Sequence, residues 1–472
     1  MDAAAFGNLR PRRGPRRRIG GRGRDASRRR GRGLDQALRS GLIAGFRPVV
    51  VRQPSSIPPV QADLTTFADS AAKISARPAD TIVFADVERA SSYRYGERAF
   101  LIQLVIDGLD PMLIDPESTG QDIGELSSAL SARPMCLHAC RADLPSLRAL
   151  GVEPTRLHDT EIAAKVLSTT GFSLGWLVES YLGVHLAKEY SRADWSRRPL
   201  PAQWLEYALG DVLYMPELLS MLLEDTETVP ISIPDHYPRS LAHESRAEWY
   251  DAAMSQMEVW SPAPPPDEPW RKLSKLSSLR STREYARARA LWEVREEVAI
   301  RNDVSVHRIV RDRSIIQAAR TDARSFDAFE KIGGFADSDV DGVIPTFAAA
   351  IKEADAIPPK KLPAKRAARD DTQERPSHRQ WKVKAPGANA LLSQAREELT
   401  ELSEVAQIEM QTLLPSTMLR EWVWAEAGTN VRGRRGKDPV DVIESALAGA
   451  GAAPCQIRLV TPALLAARDA TA

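Results

Sequence analysis

Four carboxylic acids and one phenol stand in three short segments in the first half of the chain. They are Asp86, Glu88, Asp143, Tyr207 and Asp211. Mg²⁺ prefers oxygen ligands and is commonly bound through a few carboxylates together with water and substrate phosphate. Two such ions, roughly 3.5–4 Å apart, stabilise both the attacking and the leaving oxygen of a displacement at phosphorus. These residue types therefore predict a site that hydrolyses phosphodiester bonds with two metal ions.

The negative charge of these four carboxylates also indicates that cations bind beside them. Two carboxylates about 4 Å apart repel each other by roughly 4 kcal/mol at an effective dielectric constant near 20. Four negative charges are balanced by two divalent cations. We therefore expect Asp86, Glu88, Asp143 and Asp211 to hold two Mg²⁺ or Mn²⁺ ions.

Apolar patterns predict the elements that position these groups. Asp86 and Glu88 follow the apolar run 81–85, which is typical of a buried strand, and residues two apart on a strand project from the same face. Tyr207 and Asp211 are four apart in a segment with helical apolar spacing, so they are neighbours on one helix surface. Each pair is therefore expected to present its polar groups together.

Asp143 lies between a short apolar run at 135–138 and the rest of a helical segment at 143–151. A strand that leads into a helix places this residue at a sheet edge, where α/β proteins commonly keep their sites. Taken alone, each segment has an ordinary explanation: a solvated turn for Asp-x-Glu, a helix N-terminus for Asp143, and a half-buried helix pair for Tyr207 and Asp211. Their occurrence together and in this order favours the metal site.

The same segments resemble the three motifs of the DEDDy 3′-to-5′ exonucleases, and those of the ribonuclease D family in particular. The resemblance covers residues 79–225 and includes stretches between the motifs, at 97–104, 113–116, 158–160 and 194–200. Two departures stand within the motifs. Val87 replaces the more usual Thr, and its side chain should point away from the metals. The run His138-Ala139-Cys140 replaces a more typical His-Asn run, which is expected to alter how the terminal nucleotide is held.

The resemblance implies a role for each residue of the motifs. Asp86, Glu88 and Asp211 would hold the ion that activates the attacking water, and Asp86 would also bridge to a second ion near the leaving oxygen. Asp143 would hold that second ion directly or through water, and Tyr207 would orient the attacking water by a hydrogen bond.

Nucleic-acid contacts are expected at four further positions, namely Gln103, His138, Lys188 and Arg198. For Arg198 two alternatives stay open, a contact with the substrate backbone or a structural role at a helix entrance. Cys136, His138 and Cys140 do not have the spacing of a usual zinc site, and we assign the two cysteines to packing.

The expected fold class is α/β, with a ribonuclease H-like exonuclease domain that has a mixed sheet, followed by all-α domains. The exonuclease domain is expected at 61–225, with leading strands at 82–87, 100–106 and 112–114. Residues 226–269 are rich in Pro and polar residues and are expected to form a linker that contains one helix at 247–259.

Residues 270–345 resemble the helicase and ribonuclease D C-terminal (HRDC) domain, a small helical bundle that helps to hold nucleic acid in the family. A charged linker is expected at 346–380, and a second, degenerate HRDC-like domain at 381–472. Between 271 and 331 there are 15 Lys or Arg against 9 Asp or Glu, a net of +6. These basic residues either contact the RNA backbone or form a solvated helix surface, in which Arg283, Arg287 and Arg295 would pair with Glu284 or Glu296.

The first 60 residues are expected to form a disordered, Arg-rich tail. Residues 10–32 contain 12 Arg and one Asp, a net of +11, so the rest of the chain carries −10 of the overall +1. A segment rich in Gly, Pro, Ser and Arg cannot bury a core. The tail would bind nucleic-acid phosphates with an affinity that falls as salt rises. Alternatively it is incidental, the result of an upstream start codon or a weak targeting peptide.

The expected function is metal-dependent 3′-to-5′ hydrolysis of RNA ends, and the resemblance implies structured RNA and tRNA precursors as substrates. A DNA-directed exonuclease stays open because the metals read phosphate and not sugar. A nucleic-acid-binding adaptor with an idle site is the third alternative. Three cysteines and no apolar run of about 18 residues predict a reducing compartment and no membrane span. We expect a cytoplasmic monomer.

Overall fold

The computed structural model describes residues 64–117, 123–187, 189–321, 325–365, 376–428 and 438–471. The predicted Arg-rich tail at 1–60 and Lys188 lie outside these residues. Within them, no helix has the length and the hydropathy that a bilayer span requires.

A mixed sheet lies at the centre of the first half of the chain. Its strands are β1 (Val83–Arg89), β2 (Ala99–Ile106), β3 (Met112–Ile114), β4 (Pro134–Leu137) and β5 (Arg156–Asp159). They lie in the order β3-β2-β1-β4-β5, with β1 antiparallel to β2, β2 antiparallel to β3, and β4 and β5 parallel to β1. The three predicted leading strands are present, and the predicted α/β class is confirmed.

The two faces of β1 differ because successive side chains of a strand alternate. Ala85 and Val87 are buried in the main hydrophobic core of this half. Phe84 belongs to a separate cluster on the opposite face, and Asp86 and Glu88 follow it at intervals of two. The acidic pair therefore shares one face of the sheet, and Val87 points away from it as predicted.

Eight helices cover the sheet and follow it. They are α1 (Phe67–Ser75), α2 (Gly124–Ser131), α3 (Leu144–Ala149), α4 (Thr160–Leu167), α5 (Leu174–Leu182), α6 (Ala202–Leu213), α7 (Met215–Thr228) and α8 (Arg246–Glu258). The amphipathic helix α6 buries residues at i, i+3, i+4 and i+7, namely Leu205, Ala208, Leu209 and Val212. This stripe packs on the sheet face that carries Phe84, Leu101 and the acidic pair.

Residues 226–269 form a packed connection rather than a bare linker. The predicted helix is present as α8. Tyr250 lies in the main core beside the sheet, whereas its neighbour Trp249 lies in a cluster with the C-terminal helices. Because adjacent residues of α8 enter two cores, this helix is part of both.

A first helical bundle follows, built from α9 (Thr282–Asn302), α10 (Val306–Ile309), α11 (Asp312–Thr321), α12 (Phe326–Glu330) and α13 (Val343–Ala356). In its core the ring of Phe335 meets those of Phe329 and Phe347 edge to face, with centroids 4.7 and 5.1 Å apart. The bundle extends past the predicted boundary at residue 345, because Ile351 and Ala354 on the last turns of α13 are buried.

A second helical bundle contains α14 (Trp381–Lys384), α15 (Pro386–Ala406), α16 (Met410–Leu413), α17 (Ser416–Gly428), α18 (Pro439–Gly449) and α19 (Pro454–Thr471). Its central helices repeat those of the first bundle. Both α9 and α15 have 21 residues, and each ends at a residue in the left-handed conformation with φ 49° and ψ 49°, Asp303 and Gln407. A four-residue helix then begins three residues later in each case.

Candidate active site

Three acids from two elements meet at the end of β1. Oxygen atoms of Asp86, Glu88 and Asp211 all lie within 4.8 Å of one another. Asp86 and Glu88 come from one face of β1, and Asp211 comes from α6, whose apolar stripe holds it against that face. Glu88 is buried, and the other two acids are half-buried. The structure thus brings together three of the four predicted metal ligands.

Tyr207 lies one helical turn before Asp211 on α6, so its phenol stands beside the Asp211 carboxylate. Its ring stands edge-on to Tyr190 at 5.7 Å and lies 6.4 Å from the ring of Trp195. Burial, together with the nearby carboxylates, raises the pKa of the Tyr207 phenol above its ordinary value. The hydroxyl therefore stays protonated and acts as a hydrogen-bond donor at the site.

Asp143 adjoins the three acids but is not part of their tightest group. It stands at the N-terminal position of α3, yet its side chain makes no capping hydrogen bond. Instead its Oδ1 atom lies 3.3 Å from the Nη2 atom of Arg89. That oxygen is buried, and the contact is not aligned as a hydrogen bond. Asp143 is thus a buried carboxylate held beside the cluster by a loose ion pair.

The surroundings of all four acids disfavour their charged form when no cation is bound. Burial raises the pKa of Glu88 to about 9, of Asp143 to about 8 and of Asp211 to about 7, and repulsion from neighbouring carboxylates adds to each shift. Burial also raises the pKa of Asp86. A cluster of this kind takes up either protons or cations. Its oxygen donors, including the unsatisfied oxygen of Asp143, fit hard divalent cations.

A second buried acid, Asp159, shapes the turn that carries Asp143. Its carboxylate accepts hydrogen bonds from the backbone N–H groups of Ala139 and Cys140 at 3.1 and 2.8 Å. It also accepts one from Glu161 at the start of α4, at 2.7 Å. These bonds hold Ala139 at a φ of 57°, which non-glycine residues seldom adopt. No local pattern predicts this role, because Asp159 is distant from the turn in sequence.

Of the predicted nucleic-acid contacts, Gln103 lies beside Asp86, and His138 directly follows β4. Gln103 pairs with Asp86 across β1 and β2, and its fully buried amide has no hydrogen-bond partner among the described residues. The Nδ1 atom of His138 lies 2.8 Å from the Thr160 hydroxyl, and burial lowers the pKa of the imidazole. His138 is therefore neutral near pH 7.

Arg198 is committed to contacts within the protein. Its guanidinium forms two hydrogen bonds to the Asp115 carboxylate, at 2.6 and 2.5 Å. It also donates to the backbone carbonyls of Phe100 and Trp195 at 2.9 and 2.8 Å. These contacts favour the structural alternative for Arg198. As expected, Cys136 and Cys140 are buried as free thiols in apolar clusters.

Three basic residues singled out in the first bundle also make internal contacts. Arg283 donates to two carbonyls at the end of α13, Arg287 pairs with Asp355 at 2.7 Å, and Arg295 pairs with Asp312 at 2.7 Å. Other cations line an open groove of about 550 Å³ on the same bundle, namely Lys275, Arg313 and Arg320.

Three family models match successive parts of the chain. Residues 62–246 match a model described as 3′-5′ exonuclease. Residues 284–351 match the HRDC domain, and residues 375–467 match a model described as 3′ to 5′ exonuclease C-terminal domain. The predicted exonuclease class and the predicted first HRDC domain are confirmed by these matches.

Whole proteins with the same arrangement are similar to this chain. Ribonuclease D from Granulibacter bethesdensis is 30% identical over 331 residues, which cover 66% of this chain and 76% of that protein. The crystal structure of a protein from Bifidobacterium adolescentis is 27% identical with a TM-score of 0.69, and the match covers 90% of this chain and all of the other.

The crystal structure of Escherichia coli RNase D, described as an exoribonuclease involved in structured RNA processing, has the same fold. It is 24% identical with a TM-score of 0.56, and the match covers 82% of this chain and 97% of that one. The acidic cluster, the order of the domains and these similarities lead to one assignment: the chain belongs to the ribonuclease D family of 3′-to-5′ exonucleases.

Proposed function

We propose that this protein removes nucleotides from RNA 3′ ends by metal-dependent hydrolysis, with two Mg²⁺ or Mn²⁺ ions held by its acidic cluster. The observation that carries the proposal is the convergence of Asp86, Glu88 and Asp211 on one face of β1, with the buried Asp143 beside them. The acids are otherwise unfavourable together, since their pKa values are all raised.

Each residue has a distinct task in this proposal. Asp86, Glu88 and Asp211 would hold one ion, and Asp86 and Asp143 would hold the other. Bound there, the ions would supply Lewis-acid stabilisation of the charge that builds up on the phosphate oxygens. The protonated Tyr207 hydroxyl, one helical turn from Asp211, would orient the attacking water, so Tyr207→Phe should lower kcat more than it raises KM.

RNA is the proposed substrate, as the ribonuclease D relatives and the HRDC domain favour it. Structured RNA 3′ ends, tRNA precursors among them, are the proposed targets, and the protein is proposed to act as a monomer in the cytoplasm. The groove lined by Lys275, Arg313 and Arg320 would hold the RNA backbone away from the reacting end, where cations supply position rather than sequence choice.

The proposal is tested with 5′-labelled RNA and DNA oligomers of the same sequence, each with Mg²⁺ or with EDTA. The wild-type protein should shorten RNA stepwise from its 3′ end when Mg²⁺ is present. Asp86→Asn and Glu88→Gln should abolish shortening, and the exposed control Glu217→Gln should not change it. Thermal unfolding of each variant shows that it is folded.

Other outcomes would replace this proposal with one of its alternatives. Faster shortening of DNA than of RNA would favour the DNA-directed exonuclease. Tight RNA binding without any shortening would favour the adaptor. Full activity of Asp86→Asn would remove the acidic cluster from the reaction.

A further inference from the structure

Arg89 is the cation closest to the acidic cluster in the described structure. It is the last residue of β1, and a β-bulge separates it from Glu88 in the pairing with β2. The bulge turns its side chain toward the loop before α3. There its Nη1 atom donates a short hydrogen bond to the carbonyl of Ala142, and its Nη2 atom lies 3.3 Å from Oδ1 of Asp143.

Arg89 and Asp143 form an ion pair whose geometry is not that of a hydrogen bond. The Asp143 side chain is 4% exposed and that of Arg89 is 27% exposed, so the pair is closed on one side and reaches solvent on the other. Among the residues that the structure describes, none forms a hydrogen bond with the Oδ1 atom of Asp143. The guanidinium therefore only partly offsets the charge of Asp143, and it is anchored mainly on the neighbouring carbonyl.

The charge of Arg89 acts on more than one acid. It opposes the rise in pKa of Asp86, Glu88 and Asp143. A divalent ion bound to Asp143 would meet this guanidinium at close range, and two cations on one carboxylate oxygen repel each other. Binding of that ion and the present position of Arg89 are thus mutually unfavourable.

We propose that Arg89 competes with the second divalent ion for Asp143, and that its displaced guanidinium binds the phosphate at the RNA 3′ end. The proposal rests on the function proposed above. A guanidinium can bind phosphate through two parallel hydrogen bonds, and Arg89 sits on a flexible stem at the mouth of the site. The second ion and the phosphate would therefore bind cooperatively, each tightening the other by the same factor.

The first test counts and titrates Mn²⁺ in the absence of nucleic acid, by calorimetry and by the electron paramagnetic resonance signal of free Mn²⁺. Arg89→Gln should tighten the weaker of two Mn²⁺ sites by about tenfold, which is 1.4 kcal/mol. Arg89→Lys keeps the charge and should remain close to wild type. The matched control is Arg156→Gln, since Arg156 is exposed and begins β5 at the opposite end of the parallel strands.

The second test adds adenosine 5′-monophosphate, which carries a phosphate and has no internucleotide bond to cleave. In the wild-type protein this nucleotide should tighten the weaker Mn²⁺ site severalfold, and adenosine without phosphate should have no effect. In Arg89→Gln the effect of the nucleotide should shrink severalfold, to the part that comes from direct contact between phosphate and metal. Asp143→Asn should remove the weaker Mn²⁺ site altogether. In that variant, a further Arg89→Gln substitution should not change the Mn²⁺ titration.

Each result decides between competition and a merely structural pair. An unchanged or weakened second Mn²⁺ site in Arg89→Gln would overturn the proposal, and so would an effect of the nucleotide that is as large in this variant as in the wild-type protein. Thermal unfolding of Arg89→Gln and Arg89→Lys shows whether both variants are folded. If the wild-type protein binds fewer than two Mn²⁺ ions, the two-metal function itself fails, whatever Arg89 does.

Discussion

The two helical bundles share their central helices but are attached to the nuclease half in different ways. In both, an arginine reaches the C-terminal end of the 21-residue helix. Arg98 pairs with Asp303 at the end of α9, and Arg246 donates to the carbonyls of Ala406 and Gln407 at the end of α15. The partner differs, because Arg98 binds a side-chain carboxylate whereas Arg246 binds backbone carbonyls.

The first attachment is polar and half-exposed. The two hydrogen bonds between Arg98 and Asp303 measure 2.8 and 2.7 Å, and both side chains are more than a third exposed. Tyr95 donates to Glu296 at 3.3 Å, and Arg308 lies over the ring of Tyr93 at 4.5 Å. These contacts all involve the loop between β1 and β2, which begins directly after the acids of β1.

The second attachment is buried. Arg246 is 1% exposed and also donates to the carbonyl of Val166 at 2.5 Å, and burial lowers its pKa to about 10. Trp249, Tyr237 and Leu241 from the connecting segment enter the core of the second bundle. One bundle is therefore held by charges next to the active site, and the other is built into the folded core. The second bundle thus contributes to the stability of the fold, and the first is the one that holds RNA under the proposed function.

Replacement of Arg246 should give the largest effect on stability. Arg246→Met would leave several buried carbonyls without donors, and we expect a loss of about 3 kcal/mol in the free energy of unfolding. Urea denaturation measures this value. A loss below about 1 kcal/mol would contradict the view that the second attachment is part of the core.

The affinity of the acidic cluster for Mn²⁺ should depend on pH in a range where the first attachment does not change. The pKa values of Asp211, Asp143 and Glu88 are raised to about 7, 8 and 9, so protons compete with metal up to that range. Affinity for Mn²⁺ should rise at least about tenfold from pH 6.5 to 8.5, as roughly one proton or more is released on binding. Calorimetric titration at each pH measures it, and an affinity independent of pH would contradict the account.

The pKa of Asp303 in the first attachment is shifted in the opposite direction from those of the acidic cluster. Its hydrogen bonds with Arg98 lower the pKa of its carboxyl. The contact therefore contributes stability above the unfolded pKa near 4 and loses it only as pH falls through the lower folded value. Between pH 6.5 and 8.5 the first bundle stays attached, so changes in that window report the acidic cluster.

The bundles should also differ in their contribution to RNA affinity. Residues 270–365 hold 19 Lys or Arg against 14 Asp or Glu, a net of +5, whereas residues 376–471 hold 11 of each. The double substitution Arg313→Gln and Arg320→Gln should weaken binding of a long RNA by about tenfold at low salt and flatten its salt dependence. Fluorescence anisotropy measures the RNA affinity, and Arg396→Gln, at an exposed position of α15, is the control. If both changes weaken RNA binding equally, the two bundles do not differ in their contribution to RNA affinity.

The smallest effect is expected at the polar attachment. Asp303→Asn keeps a residue type that tolerates the left-handed conformation and removes only the charge. Exposed ion pairs contribute about 0–1 kcal/mol, so overall stability should change by no more than that. Hydrogen exchange should instead show faster exchange in the loop that carries Tyr95 and Arg98. A large loss of global stability would show that the two attachments are alike.

Local patterns were sufficient for part of the fold and of the site. The placement of Asp86 and Glu88 on one face follows from strand alternation, and that of Tyr207 beside Asp211 follows from helical spacing. Their convergence was expected from the family motifs, and three of the acids do converge.

Contacts between distant segments could not be predicted in this way. Arg89 meets Asp143 across a β-bulge, which shows no sequence pattern here, and Asp159 orders a turn some 20 residues earlier in the chain. The segment around Arg246 and Trp249 is polar and rich in Pro, so it resembled a linker. Its few buried residues nevertheless join two cores, and a count of polar residues does not show which ones are buried.

Divalent ions held by these acids are proposed to act directly on the phosphate of the last linkage at the RNA 3′ end. The most direct test replaces one non-bridging oxygen of that linkage with sulfur and measures the rate at which the last nucleotide is released. Mg²⁺ is a hard cation that binds sulfur poorly, and softer metals tolerate it better. If the ions contact this phosphate, the sulfur-containing RNA should react much more slowly than normal RNA with Mg²⁺ and at a similar rate with Mn²⁺. An equal ratio of the two rates with both metals would show that the ions do not act on this phosphate.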